Sequence, residues 1–280
     1  MSLRRDFHFI FGLREQHAPF HVLHYLCLAS CRAVNRPDAI FLHYRHEPFG
    51  PWWDRIRPHL RLQRAPDSVQ GFAPARYAES VEGRFIEQLG LSYAHEADFL
   101  RLDILIAHGG VYADMDTLFV RPYPDAWFAE DFAIGDENAP RIPGQVIQPT
   151  LCNAVMFARP RSHFAGVWRE RMAAAFDGSW SRHSCHEAAR LWRAMPGALR
   201  VLPREYFYRY GSTIAGLRSL LEESDGDHAD LYSIHLWAHL WWEAARQDFS
   251  TVHAGQIDEK WIRTRDCTLA ELARRFLDQE

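Results

Sequence analysis

The chain has 280 residues, 48% hydrophobic and 24% charged, the composition of an ordinary soluble globular protein. Its net charge of −4, from 32 Lys+Arg against 36 Asp+Glu, is too balanced for nucleic acid to be the main ligand. Cys27, Cys31, Cys152, Cys185 and Cys267 are odd in number and show no CxxC pairing, which predicts reduced thiols and argues against a disulfide framework or a zinc site. Arg4, Arg5 and Asp6 are followed by only a few apolar residues, unlike a secretion signal. No apolar run approaches the ~20 residues of a membrane helix. The expectation is a cytoplasmic protein, with loose contact to a membrane surface left open.

In chain order, 7–11 predicts a first buried strand ending at Gly12. Residues 17–32 predict a helix with Pro19 in its first turn, and 38–44 a second strand. This strand–helix–strand opening predicts a parallel, helix-covered sheet. A Pro-, Gly- and Trp-rich loop over 46–53 leads to a strand at 60–64, and 76–89 has helical tendency. In 95–122, Phe99, Leu102, Leu105 and Ile106 recur at helical spacing until Gly109-Gly110 stops the helix. A short strand, 111–113, follows. Further on, 132–135 predicts a strand, 144–149 lies in a long polar loop, and 151–158 is a strand carrying Asn153. Helices are expected over 161–176 and 185–194, extended pieces over 199–202 and 206–210, a strand over 230–237 and a closing helix over 269–277. No linker, repeat or low-complexity segment divides the chain, so 1–280 is expected to be one domain.

The chemistry concentrates after Gly110. Asp114 and Asp116 bracket one residue, and in an extended segment their side chains point to the same side. Such a pair suits magnesium or manganese shared with a phosphorylated ligand. Asp98 and Arg101, three apart on the preceding helix, share a face. A phosphatase of the haloacid-dehalogenase type also presents D-x-D after a strand. It places Thr two residues after the second Asp, however, whereas Thr117 follows Asp116 directly, and its motif usually sits on the first strand. His235 and His239 have the spacing of helical zinc ligands, but no Glu stands between them in the HExxH manner. His43, His46, His183 and His186 form no ligand pattern, and Asp136, Glu137 and Asn138 read as a solvated turn.

Asp98, Arg101, Gly109-Gly110, Tyr112, Asp114 and Asp116, in this order and spacing, resemble the DXD sugar-binding region of family 32 glycosyltransferases. That family includes yeast-type initiating mannosyltransferases and bacterial capsule enzymes, and the pattern recurs in the clostridial glucosylating toxins. The resemblance implies an α/β GT-A-type fold, a mostly parallel Rossmann-like sheet flanked by helices with extra C-terminal helices. Its nucleotide-sugar part would be about 1–122 and its acceptor side about 123–280. The implied activity is metal-dependent, retaining transfer from a UDP- or GDP-sugar to a hydroxyl of a glycan, glycolipid or protein, as in bacterial polysaccharide biosynthesis. A non-catalytic sugar-nucleotide-binding protein of the same fold is the alternative, and a phosphohydrolase the third.

By the same resemblance, Asp98, Arg101, Asp114 and Asp116 would be the catalytic set. Asp116, with Asp114 and His235, would hold Mn2+ or Mg2+. Phe9, Phe11, Gly12, Tyr112, Asn153 and Trp241 would complete donor binding, with Phe11 against the base. The family's late His is usually followed by a Ser-Trp pair; here Leu240 stands in the Ser place before Trp241.

Overall fold

The computed structural model describes residues 4–67, 77–81, 84–88, 92–137, 150–226, 228–246 and 248–279. The first half contains β1 (Asp6–Ile10), α1 (Val22–Asn35), β2 (Ala39–Tyr44), α2 (Pro51–Ile56), β3 (Arg61–Arg64), β4 (Tyr77–Val81), β5 (Arg84–Gln88), α3 (Ser92–His108), β6 (Gly110–Ala113) and β7 (Thr117–Phe119). There follow α4 (Asp125–Phe128), β8 (Phe132–Asp136), β9 (Leu151–Ala158), α5 (His163–Ala175), α6 (Glu187–Ala194), β10 (Arg200–Leu202), α7 (Ile214–Leu221), β11 (Ser233–His235), α8 (Glu259–Thr264) and α9 (Thr268–Ala273). Seven strands form one mixed sheet in the order β10-β8-β9-β6-β1-β2-β3. β1 pairs in parallel with β2 and β6, β2 with β3 and β10 with β8; only β9 runs antiparallel, between β6 and β8. This is the mostly parallel, helix-flanked sheet expected from the strand–helix–strand opening.

Every residue of β1 and β9 is buried, as both faces of a central strand must be when helices cover both sides. Alternation along β1 sends Phe7 and Phe9 to the core formed with α1, α7, α8 and α9, and Ile10 to the core formed with α3, α5 and α6. Between Ile134 and Gly135 the β8–β9 register shifts, a bulge opposite residues 153–155. Bulges re-aim side chains, and this one lies beside Asn153. A second, two-stranded sheet pairs β11 antiparallel to β7, with His235 opposite Thr117. That pairing brings the late histidine to the D-x-D turn.

Several expectations are corrected. The helix over 17–32 begins only at Val22: the His21 ring accepts from Leu23 N–H at 3.2 Å as its cap, and Phe20 N–H is tied to Phe49 O at 2.8 Å, which leaves Pro19 outside. The loop over 46–53 turns helical at Pro51. In place of the helix over 76–89 stands an antiparallel hairpin, β4 with β5. The 206–210 piece is not a strand; a 3-10 turn, Arg204–Tyr206, precedes irregular chain. The polar loop over 144–149 and Asn138 lie outside the described residues. No helix of the described residues is long and apolar enough to cross a membrane.

Gly109 and Gly110 deliver the end of α3 into β6 with φ of +69° and +89°. A Cβ on Gly110 would lie 2.5 Å from Asp6 O in the neighbouring strand. Gly110→Ala is therefore expected to cost at least roughly 2 kcal/mol through left-handed strain and the backbone clash. Equilibrium denaturation checks this, and an unchanged midpoint would contradict it.

Candidate active site

Asp114 follows the last residue of β6, and its N–H donates to Ala154 O at 2.8 Å on β9. The chain then turns, Thr117 N–H donating to Asp114 O at 3.0 Å. The two aspartates thus sit in a turn and not in the extended segment expected from the sequence. Their convergence comes from this turn and from a partner brought by β11. His235 Nε2 lies 3.2 Å from Asp116 Oδ1 and 3.9 Å from Asp114 Oδ2. Just after β11 the chain wraps around Asp116: Leu236 N–H donates to its carbonyl at 2.8 Å, and Ala238 N–H to its carboxylate at 2.9 Å. Between them Trp237 takes the left-handed conformation, φ 53° and ψ 40°, uncommon for a bulky residue. Its indole N–H donates to Tyr210 O at 2.8 Å, and its ring centroid lies 4.3 Å from that of His235.

A second layer sits behind the aspartates. The Arg101 guanidinium, 6% exposed, reaches Asp98 at 3.2 Å, Asp114 at 3.3 Å and Asn153 O at 2.9 Å, and its carbon lies 4.7 Å from the Tyr112 ring centroid. Tyr112 donates its hydroxyl to Asp114 at 2.7 Å. Asp98 also accepts from the Asn153 amide at 2.7 Å and lies 3.0 Å from His183 Nε2. His183 belongs to a π-helical turn, Arg182–His186, ahead of α6. Its ring stacks on Phe99 and contacts His95 edge-on, so His95, Asp98 and His183 form a further buried group of ligand type. Sequence reasoning assigned His183 nothing; no local pattern links it to a residue 85 positions away.

Burial works to raise the Asp98 carboxyl, but the Arg101 charge and the His183 and Asn153 hydrogen bonds hold it below the usual carboxylate range. Burial and the neighbouring Asp116 charge raise Asp114 against the pull of Arg101. At Asp116 burial is outweighed by the charge and hydrogen bond of His235 and by the Ala238 N–H, so its pKa falls. His235 is raised in turn, because Asp116 and Asp114 outweigh its burial. His239 is pushed down to about 4 by burial and by His235. It faces Trp180 at 5.4 Å between ring centroids and forms no ligand pair with His235.

Asp114, Asp116 and His235 each offer a ligand atom within 4.8 Å of the others. Two carboxylates and an imidazole suit a divalent cation. Asp114 and Asp116 set two carboxylates side by side, and burial together with the Asp116 charge pushes the Asp114 pKa up, an arrangement a bound cation would relieve. His235 Nδ1 is buried without a hydrogen-bond partner, so Nε2 is the atom turned toward the carboxylates. The group lies in a cleft of about 620 Å³, within the range of small-molecule sites. Phe11, Gly12, Asp98, Arg101, Tyr112 and Asn153 line the same cleft, as expected. Phe9 does not; it packs in the core against Phe119, as strand alternation requires. Trp241 is also displaced from its expected donor role. It is fully buried, donating to Leu236 O at 2.6 Å, and its neighbours Trp237 and Trp242 face the cleft. Glu137, read from sequence as part of a solvated turn, is on the wall too.

Residues 75–133, which include Asp98, Arg101 and the D-x-D turn, match the family of the glycosyltransferase sugar-binding region containing the DXD motif. That segment, about a fifth of the chain, is similar to the sugar-binding region of DXD glycosyltransferases. Over 281 aligned residues the chain is 27% identical to glucan organizing enzyme 1 of Cryptococcus neoformans var. grubii, covering 96% of this chain and 69% of that protein. Among solved structures it is similar to the apo-form glycosyltransferase GlyE of Streptococcus pneumoniae, with TM-score 0.49, 12% identity, and 92% of this chain against 63% of that one. A galactosyltransferase, LgtC, solved with donor and acceptor sugar analogues, aligns with TM-score 0.45 and 13% identity over 91% of this chain and 98% of its own.

In this buried network, Asp98→Ala leaves Arg101 facing one carboxylate fewer. Breaking a buried pair in this way is expected to cost about 3–5 kcal/mol at pH 7. The Asp98 pKa is depressed on folding, so its contribution is present above the unfolded carboxylate value of about 4 and is lost as pH falls through the folded value. Denaturation of wild type and variant across pH should show their difference narrowing only below about pH 4. A difference that is small at pH 7, or that grows on acidification, would contradict the assignment.

Proposed function

We propose that this glycosyltransferase is metal-dependent and moves a sugar from a UDP- or GDP-sugar to a hydroxyl of a glycan. The observation that carries the proposal is the convergence of Asp114, Asp116 and His235 on one wall of the cleft, from two segments about 120 positions apart in sequence. The donor set favours Mn2+ or Mg2+, held by Asp116 with Asp114 and His235. When bound, such an ion neutralises diphosphate charge and acts as a Lewis acid on the leaving group. Phe11, lining the same cleft edge-on to Phe20 and 4.8 Å from the His24 ring, offers an aromatic surface for the base.

Asp98 accepts hydroxyl hydrogen bonds from the donor sugar in this reading. Held already by Arg101, Asn153 and His183, it is spent as a base and suited to orientation. Tyr112 and Arg101 fix the Asp114 carboxylate, and Ala238 N–H fixes that of Asp116, so neither must reorganise when the donor arrives. Because the carboxylates nearest the cation group are committed in this way, retention is assigned to front-face attack, with the departing diphosphate taking the acceptor proton. In this reading Glu137, which lines the cleft, serves the acceptor. A cytoplasmic setting belongs to the proposal and is supported by five free cysteines, Cys27, Cys31, Cys152, Cys185 and Cys267.

Donor hydrolysis and transfer measured across nucleotide sugars, with and without Mn2+, test the reading. Activity should require the cation, and Asp116→Ala should lower kcat/KM by roughly 10²–10³-fold, several kcal/mol of charge stabilisation. Full metal-dependent activity in Asp116→Ala would sink the site assignment. Saturable donor binding with no nucleoside diphosphate released would instead mark a binding module.

A further inference from the structure

A second group of ligand type is joined to the D-x-D turn through Arg101, which lies 3.2 Å from Asp98 and 3.3 Å from Asp114. His95 and Asp98 stand one turn apart on α3, and the π-helical turn Arg182–His186 brings His183 against them. Single π turns of this kind recur at functional sites. Each of the three residues offers a ligand atom within 4.8 Å of the others. His95 is 1% exposed and His183 is fully buried. The rings of Phe99, Phe176 and Trp180 pack around the two imidazoles.

Within the protein alone this group is incomplete. Both ring nitrogens of His95, and Nδ1 of His183, are buried with no hydrogen-bond partner among the described residues. A neutral imidazole carries one N–H and one lone pair, so His95 leaves both a donor and an acceptor unsatisfied, a costly state for a buried side chain. The Asp98 carboxylate is divided. Its Oδ1 accepts from the Asn153 amide at 2.7 Å and meets Arg101 at 3.2 Å, whereas Oδ2 is turned to His183 Nε2 at 3.0 Å. Burial lowers the His95 pKa, which keeps a lone pair available for coordination at neutral pH.

We infer that His95, Asp98 and His183 form a zinc site, separate from the D-x-D group that the preceding subsection assigns to Mn2+ or Mg2+. Zinc bonds imidazole nitrogen and carboxylate oxygen at about 2.0–2.2 Å in a tetrahedron, which sets ligand atoms roughly 3.3 Å apart. Asp98 Oδ2 and His183 Nε2 are already near that spacing, and the remaining closure falls to His95. The ion takes the place of the hydrogen bond between Asp98 and His183 and engages one nitrogen of His95. Three protein ligands leave the fourth position to water. Two imidazoles with one carboxylate suit zinc, whereas two carboxylates with one imidazole make the harder set that suits Mn2+ or Mg2+. Bound there, zinc ties α3 to the π-helical turn and holds Asp98 against Arg101. The inference stands on this cluster and does not depend on the nucleotide-sugar reading.

Metal-stripped protein crystallised with Zn2+ alone, with diffraction recorded on both sides of the zinc absorption edge, tests the site in the unaltered chain. An anomalous peak bonded to His95, Asp98 and His183 is expected. Zinc at the D-x-D turn alone, or at neither group, overturns the inference. Calorimetric titrations with Zn2+ and, separately, Mn2+ then compare wild type with His95→Gln and His183→Gln, with thermal melts as a folding control. Each substitution removes a ligand and should weaken one Zn2+ equivalent by at least the roughly 10–100-fold that loss of a ligand's outer hydrogen-bond partner costs. Mn2+ affinity should hold. Unchanged Zn2+ binding in both variants overturns the inference, as does an equal loss of Zn2+ and Mn2+ affinity, which marks a general effect on the cleft. Zinc at the histidine cluster of a wild type that binds no Mn2+ would sustain this inference and sink the D-x-D cation reading.

Discussion

A guanidinium buried among carboxylates is the constraint on which the site depends. Removing Arg101 from water is tolerable only because Asp98, Asp114 and the Asn153 carbonyl surround it. In return it keeps Asp98 ionised and holds Asp114 at the end of β6. Arg101 thus couples α3, which carries it and Asp98, to β6 and β9, which carry Asp114 and Asn153. The Gly109-Gly110 link makes this coupling short, since it lets the chain reverse directly from α3 into the central strand beside β1. This part of the cleft is therefore preorganised by three central elements packed on one another.

The second half of the site arrives from far along the chain. β11 pairs with β7, immediately after the D-x-D turn, so one short antiparallel ladder sets His235 against Asp116. The left-handed Trp237 then turns the chain so that Leu236 and Ala238 both donate to Asp116. A backbone conformation unfavourable for a tryptophan persists where its indole is hydrogen-bonded and its ring packed between His235 and Tyr208. Strain of this kind accompanies the fixing of a carboxylate before ligand arrives. Beyond Trp237 the chain carries Trp242 and Arg246 to the lining of the same cleft.

Much of the donor half was legible because it is local. Asp98 and Arg101 are one helical turn apart, the glycines mark the stop, and the D-x-D follows at short range. Phe9 was expected at the donor but is turned into the core by strand alternation, and Phe11 reaches the cleft because β1 ends at Ile10. What could not be read depends on distant packing. His183 meets Asp98 through a π-helical turn with no sequence period, and Trp241 rather than Trp237 or Trp242 was expected at the donor because a tight turn has no fixed face. The 76–89 segment reads as helix by composition, yet pairs as a hairpin.

A single measurement separates the two ligand groups, Asp114, Asp116 and His235 at the cleft and His95, Asp98 and His183 behind it. Crystals grown with Mn2+ and a nucleoside diphosphate, with diffraction recorded at the manganese absorption edge, locate the ion directly. One anomalous peak within bonding distance of Asp116 and Asp114, on the side of His235, is the expected result. A peak at His95, Asp98 and His183, or no peak while nucleotide density is present, would contradict the assignment of the D-x-D turn as the cation site.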